Sequence, residues 1–142
     1  MNQEILEKLR HLSAGNSKYR DFHSRIANDL SGIEFIGVRV PELRKIAKNL
    51  SRKDYWHYLK NNDWQIYETK QIAFLLPTYL KQKTFEEFFS VIDFIAPHTS
   101  SWANTDALGL ELPYEKNLIL QKVKEYSSTP DPWTLRIGLN IM

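Results

Sequence analysis

The chain contains no cysteine, which excludes disulfides and thiolate metal sites. Five glycines and six prolines in 142 residues are too few for the turn density of an all-β fold. No apolar run approaches the roughly 20 residues that span a bilayer. Residues 1–10 alternate charge with Leu and Ile and lack the apolar core of a signal peptide. His11, His23, His57 and His98 are scattered without ligand spacing. No Gly-rich phosphate loop, nucleotide fingerprint or Ser-His-Asp set occurs. No metal, cofactor or membrane partner is therefore expected, and the chain reads as a soluble, cytoplasmic protein.

What is present is the material for a core. Hydrophobic residues make up 42% and aromatics 13%, enough for one folded domain over residues 1–142 rather than a disordered chain. The net charge of +2 conceals an asymmetry. Residues 1–60 hold twelve Lys/Arg against seven Asp/Glu, and residues 61–142 hold seven against ten. A basic amino-terminal half is an electrostatic footprint for an anionic partner.

Hydrophobic periodicity predicts helix after helix and no strand of any length. Ile5, Leu6, Leu9 and Leu12 mark a first amphipathic helix that ends near Gly15. Tyr19, Phe22, Ile26 and Leu30 mark a second, capped by Asn16 or Ser17 and ended by Ser31-Gly32. After the connector Phe35 to Val40, Pro41 fits the first position of a helix whose buried stripe is Leu43, Ile46, Ala47 and Leu50. Ser51 and Asp54 are the spacing of a capping box before Tyr55, Trp56 and Leu59. Asp63 is placed to cap a helix with Ile66, Tyr67, Ala73 and Phe74 that meets a kink or stop at Pro77. Thr84 with Glu87 is a further capping box, and Ser100 or Ser101 caps the helix of Trp102. Pro113 is expected to open a helix with Leu118, Leu120 and Val123, and Asp131-Pro132 opens the last one. About nine helices at a pair spacing of roughly 40 residues are the count of a solenoid of HEAT-type antiparallel pairs, a count that a compact helical bundle shares.

Two short stretches carry chemistry. Trp102 and Asp106 lie four apart on one helix face, and Trp133 and Arg136 lie three apart on another. By residue type alone, each Trp also reads as a core or interface aromatic, Asp106 as a solvent-facing carboxylate, and Trp133 with Arg136 as a surface cation–π pair. The cluster Arg39, Arg44, Lys45, Lys48, Arg52 and Lys53 reads as a phosphate footprint or as a solvated face.

The stretch Phe35-Ile36-Gly37-Val38-Arg39-Val40-Pro41-Glu42-Leu43-Arg44-Lys45-Ile46-Ala47 resembles the amino-terminal signature of the HEAT-like-repeat DNA alkylation-repair glycosylases, the 3-methyladenine/7-methylguanine type. Trp102 to Asp106 is similar to that family's catalytic Trp and Asp, and Pro132-Trp133-Thr134-Leu135-Arg136 to the signature that ends in its active-site Arg. The three segments stand in the family's order, and the resemblance runs from about residue 20 to the end. It implies an all-α superhelix (solenoid) of HEAT-like antiparallel helix pairs whose concave face grips double-stranded DNA. It implies hydrolytic release of cationic N3- or N7-alkylated purines without a cofactor. It gives Asp106 the stabilisation of positive charge on the deoxyribose, Trp102 the packing against the sugar, and Arg136 the phosphate backbone. From the basic cluster, Arg39, Arg44, Lys45 and Lys48 are the expected DNA-binding residues, with Trp133 beside Arg136.

The chemistry of such a reaction suits this inventory. Cleaving an N-glycosidic bond passes through an oxocarbenium-like state, which a fixed carboxylate stabilises. An alkylated purine already carries its positive charge, so no general acid is needed. The alternatives are a DNA-binding relative without catalysis and a helical-repeat scaffold for protein partners. The resemblance further implies carboxy-terminal helices beyond Met142, so the domain is expected to be incomplete there. Ile137, Leu139 and Ile141 would then form an apolar edge and a possible homodimer contact.

Overall fold

The structure is a computed structural model and describes residues 2–13, 18–21, 32–108 and 112–140. Among the described residues the regular structure is helical, apart from one parallel bridge between Glu34 and Ile66. The protein is all-α, as the periodicity predicts. No helix of the described residues is long and apolar enough to cross a membrane.

Helix α1 spans Asn2–Leu12 and buries Leu9. Of the expected second helix, residues 18–21 are helical; Gly15, Asn16, Ser17, Phe22, Ile26 and Leu30 lie outside the described residues. Helix α2 spans Val40–Leu50 and buries Leu43, Ile46, Ala47 and Leu50, the stripe read from the sequence. Pro41 is its second residue, because Val40 already turns while Arg39 stays extended at φ −73, ψ 148.

Local hydrogen bonding shifts several helix starts. Helix α3 (Tyr55–Lys60) is capped by Asp54 itself, whose carboxylate accepts from His57 N at 3.1 Å. Ser51 instead closes α2, its hydroxyl donating to the Lys48 carbonyl at 2.6 Å. Asp63 lies too far ahead of α4 (Tyr67–Leu75) to cap it and accepts from Gln65 N in a turn. Pro77 does end that helix, which passes into a 3-10 turn over Leu76–Tyr79. Thr84 caps α5 (Phe85–Ile95) through Glu87 N. The Glu87 side chain, however, accepts from the Tyr55 hydroxyl and from Trp56 Nε1 at 3.0 Å, so it binds α5 to α3 rather than closing the capping box. Helix α6 spans Trp102–Asp106. Helix α7 (Lys116–Ser127) starts three residues after Pro113, with Glu115 as its cap position and Leu120 exposed. Asp131 caps α8 (Pro132–Asn140) as expected, accepting from Thr134 N and the Thr134 hydroxyl.

Alternate helices stack in a row: α2 packs on α4, α4 on α6 and α6 on α8, with α7 against α8. Helix α4 sits inside this row and every one of its residues is buried, including Glu68, Thr69, Lys70 and Gln71. Its first turn meets the chain just before α2, through Glu68, and just before α6, where Lys70 Nζ lies 2.7 Å from Ser100 Oγ. The amino-terminal ends of these three helices therefore lie along the same side of the row. The expected apolar edge is corrected at Ile137, which is fully buried in the core while Leu139 is 56% exposed. Positions two apart on a helix point about 200° apart, so the two cannot share a face. Ile141 lies outside the described residues.

Candidate functional site

Helix α6 is short, and what holds it is its inward face. Asn104 and Thr105 are fully buried and Ala103 nearly so, while Trp102 is 41% exposed and Asp106 is exposed. The four-residue spacing thus places the indole and the carboxylate on the outward face. Asn104 anchors the helix from below. Its Nδ2 donates to Gln71 Oε1 at 2.9 Å, and its Oδ1 accepts from Ser100 N at 3.1 Å. Gln71 Nε2 in turn donates to the Ala103 carbonyl at 3.0 Å. The buried amides of α4 and α6 satisfy one another, as buried polar groups must.

The two signature segments meet at Asp106. Arg136 Nε donates to Asp106 Oδ1 at 2.9 Å and Nη2 to Oδ2 at 2.8 Å, a two-pronged ion pair between α8 and α6. Asn140, one turn beyond Arg136, donates from Nδ2 to Oδ1 at 3.1 Å and to the Thr105 carbonyl at 3.2 Å. The Thr105 hydroxyl lies 3.3 Å from Oδ1. The Arg136 hydrogen bonds hold the Asp106 carboxyl below its ordinary value; partial burial opposes this, and Asn140 and Thr105 assist it. Asp106 is therefore an anion at neutral pH. Trp133, in the first turn of the same α8, is half-buried.

The basic connector reaches this region through α4. The fully buried carboxylate of Glu68 accepts from the backbone N–H groups of Ile36 at 2.8 Å, Gly37 at 3.1 Å and Val38 at 3.4 Å. Gly37 adopts φ +100, where a side chain is strained. Next to this tether, Ile33, Tyr67 and Ala103 pack together with Phe35, whose ring stacks on Tyr67 at 4.6 Å. The connector and α6 thus share one small cluster. Arg39 projects from the end of the connector, exposed, with its guanidinium 4.3 Å from the centre of the Tyr19 ring.

Arg44 and Lys48 are exposed on α2. Lys45 is not gathered with them: it pairs with Glu42 at 3.3 Å and lines a groove between α1 and α2 with Lys8, Asn49 and Lys53. Four site residues were not read from the sequence: Glu68, Gln71, Asn104 and Asn140. Asn140 carried a signal, since it lies four after Arg136 on one helix face. Glu68 and Gln71 carried none, because a polar residue inside a helix reads as solvent-facing until its neighbours are known.

A family model described as DNA alkylation repair enzyme matches residues 5–142. The chain belongs to that family. It is an all-α member of a family of DNA alkylation repair enzymes, a family whose substrate is DNA. No curated protein and no solved structure matches the chain.

Proposed function

We propose that this family member is a DNA N-glycosylase that releases cationic N3- or N7-alkylated purines from duplex DNA, with its helix row acting as a HEAT-like solenoid along the duplex. The observation that carries the reading is an ionised Asp106 beside an exposed Trp102 on one face of α6, with the Arg136 guanidinium against it. The purine leaves as a neutral base because it departs from an already positive state, and the charge then resides on the sugar. A preorganised anion at that point stabilises the oxocarbenium-like state. The indole face of Trp102 suits a cationic centre through its quadrupole. Arg136, Arg39, Arg44 and Lys48 supply phosphate contacts, which fix register without reading sequence. Trp133 adds an aromatic surface next to Arg136.

The test is base release from a duplex containing 7-methylguanine. Asp106→Asn keeps the shape of the side chain and removes its charge. Turnover is expected to fall by about two to three orders of magnitude, the scale of losing one preorganised electrostatic partner, while duplex binding persists. Unchanged release would reject the carboxylate as the stabiliser. The closed Asp106–Arg136 pair favours a second reading, a DNA-binding relative that does not release bases. That reading predicts no release from either protein.

A further inference from the structure

The Asp106 carboxylate is held by two unlike partners on α8. Arg136 is a cation that occupies one position on each oxygen. Asn140 is a neutral amide that touches Oδ1 alone and is braced by a second bond to the Thr105 carbonyl. Among the described residues the hydrogen bond to Oδ2 comes from Arg136. A carboxylate already neutralised by a guanidinium gains little by facing a second positive charge. The fork geometry that grips a carboxylate also grips a phosphate. Both side chains of the pair are exposed, so water and a competing anion can reach the contact between them.

We infer that Arg136 exchanges from Asp106 to a DNA phosphate when duplex binds, and that Asn140 is a positioning residue that keeps the carboxylate aimed once Arg136 has left. In the exchanged state Oδ1 retains Asn140 and the Thr105 hydroxyl, and Oδ2 becomes the open atom toward the sugar. The side chain then stays oriented with its negative charge uncompensated, which an arginine in the place of Asn140 would not allow. Arg136 and Asn140 lie one turn apart on α8, so one helix carries both the partner that leaves and the partner that remains. The role of Asn140 rests on the glycosylase reading above; the exchange of Arg136 rests on DNA binding alone.

Two measurements on the full chain separate these claims. The first is affinity for an unmodified duplex. If Asp106 competes with phosphate for Arg136, Asp106→Asn binds the duplex about two- to fivefold more tightly than the native protein, the factor an exposed ion pair is worth. With Arg136→Ala in addition, the gain disappears. Equal or weaker binding by Asp106→Asn overturns the exchange. The second is single-turnover release from a 7-methylguanine duplex. Asn140→Leu is expected to lower the rate about tenfold or more with duplex affinity unchanged, as small misplacements of a reacting group do. Asn140→Gln, which keeps the amide donor, is expected to recover most of the rate. A native rate in Asn140→Leu, or equal losses of rate and affinity in both variants, overturns the positioning role. Absence of release from the native protein would refute the glycosylase reading and the role of Asn140 with it, while the affinity measurement still decides the exchange.

Discussion

Gln71 and Asn104, 33 residues apart and both buried, are joined amide to amide at 2.9 Å. The bond lies between α4, the innermost helix of the row, and α6, which carries Trp102 and Asp106. A five-residue helix has little stability of its own, because nucleating the first turn is unfavourable. Its position is set by these buried bonds and by Ala103 packed against Tyr67 and Ile33.

Asn104→Leu removes the amide that donates to Gln71 Oε1 and the oxygen that accepts from Ser100 N. It is expected to destabilise the fold by about 1–3 kcal/mol for the lost buried bond to Gln71. Thermal unfolding of Asn104→Leu, Gln71→Leu and the double variant checks this. The double variant should lose less than the sum of the two singles, since it removes both sides of the same bond.

Gly37→Ala is expected to displace the connector. The added Cβ would stand 2.7 Å from Arg20 Cβ and 3.2 Å from Arg20 Cα, at a φ of +100. Backbone strain alone costs about 1–3 kcal/mol, and contact with a main-chain atom leaves no inexpensive relief. Denaturant unfolding should show the loss, and a variant of native stability would mean that the connector can be remodelled freely.

The Asp106 carboxyl is held below its ordinary value of 3.8, chiefly by Arg136. A carboxyl depressed in the fold contributes stability that is present above its unfolded value and is lost as pH falls through its depressed value. The stability gap between the native protein and Asp106→Asn should therefore be constant near neutrality and close below about pH 4. Melting temperatures of both proteins from pH 7 to pH 2 test this. A gap that widens in acid would contradict the Arg136 pairing.

Duplex affinity should fall linearly with the logarithm of salt concentration as counterions are released. Replacing Arg39, Arg44 or Lys48 by Gln should each make the slope shallower by about 0.9. Lys45→Gln should change the slope less, because its ammonium is paired with Glu42 and faces the groove beside α1. Titration of labelled duplex at several salt concentrations reads each slope. Equal effects at Lys45 and Lys48 would show that the groove belongs to the DNA-binding face.

The sequence by itself determined the all-α class, the buried stripe of α2, the caps at Thr84 and Asp131, the stop at Pro77, and the shared face of Trp102 and Asp106. Each depends on residues within about four positions of one another, the reach of helix periodicity and of capping bonds. The same short reach misled where two local partners competed, as when Ser51 closed one helix instead of opening the next. Tertiary structure decided the rest: the ion pair of Asp106 with Arg136, the Asn140 amide beside it, the tether of Glu68 to the connector, and the burial of Ile137. Apart from Ile137, these join groups about 30 or more residues apart. Whether a polar side chain in a helix is solvated or buried against a partner depends on the neighbouring helix, and no periodicity within the chain contains that neighbour.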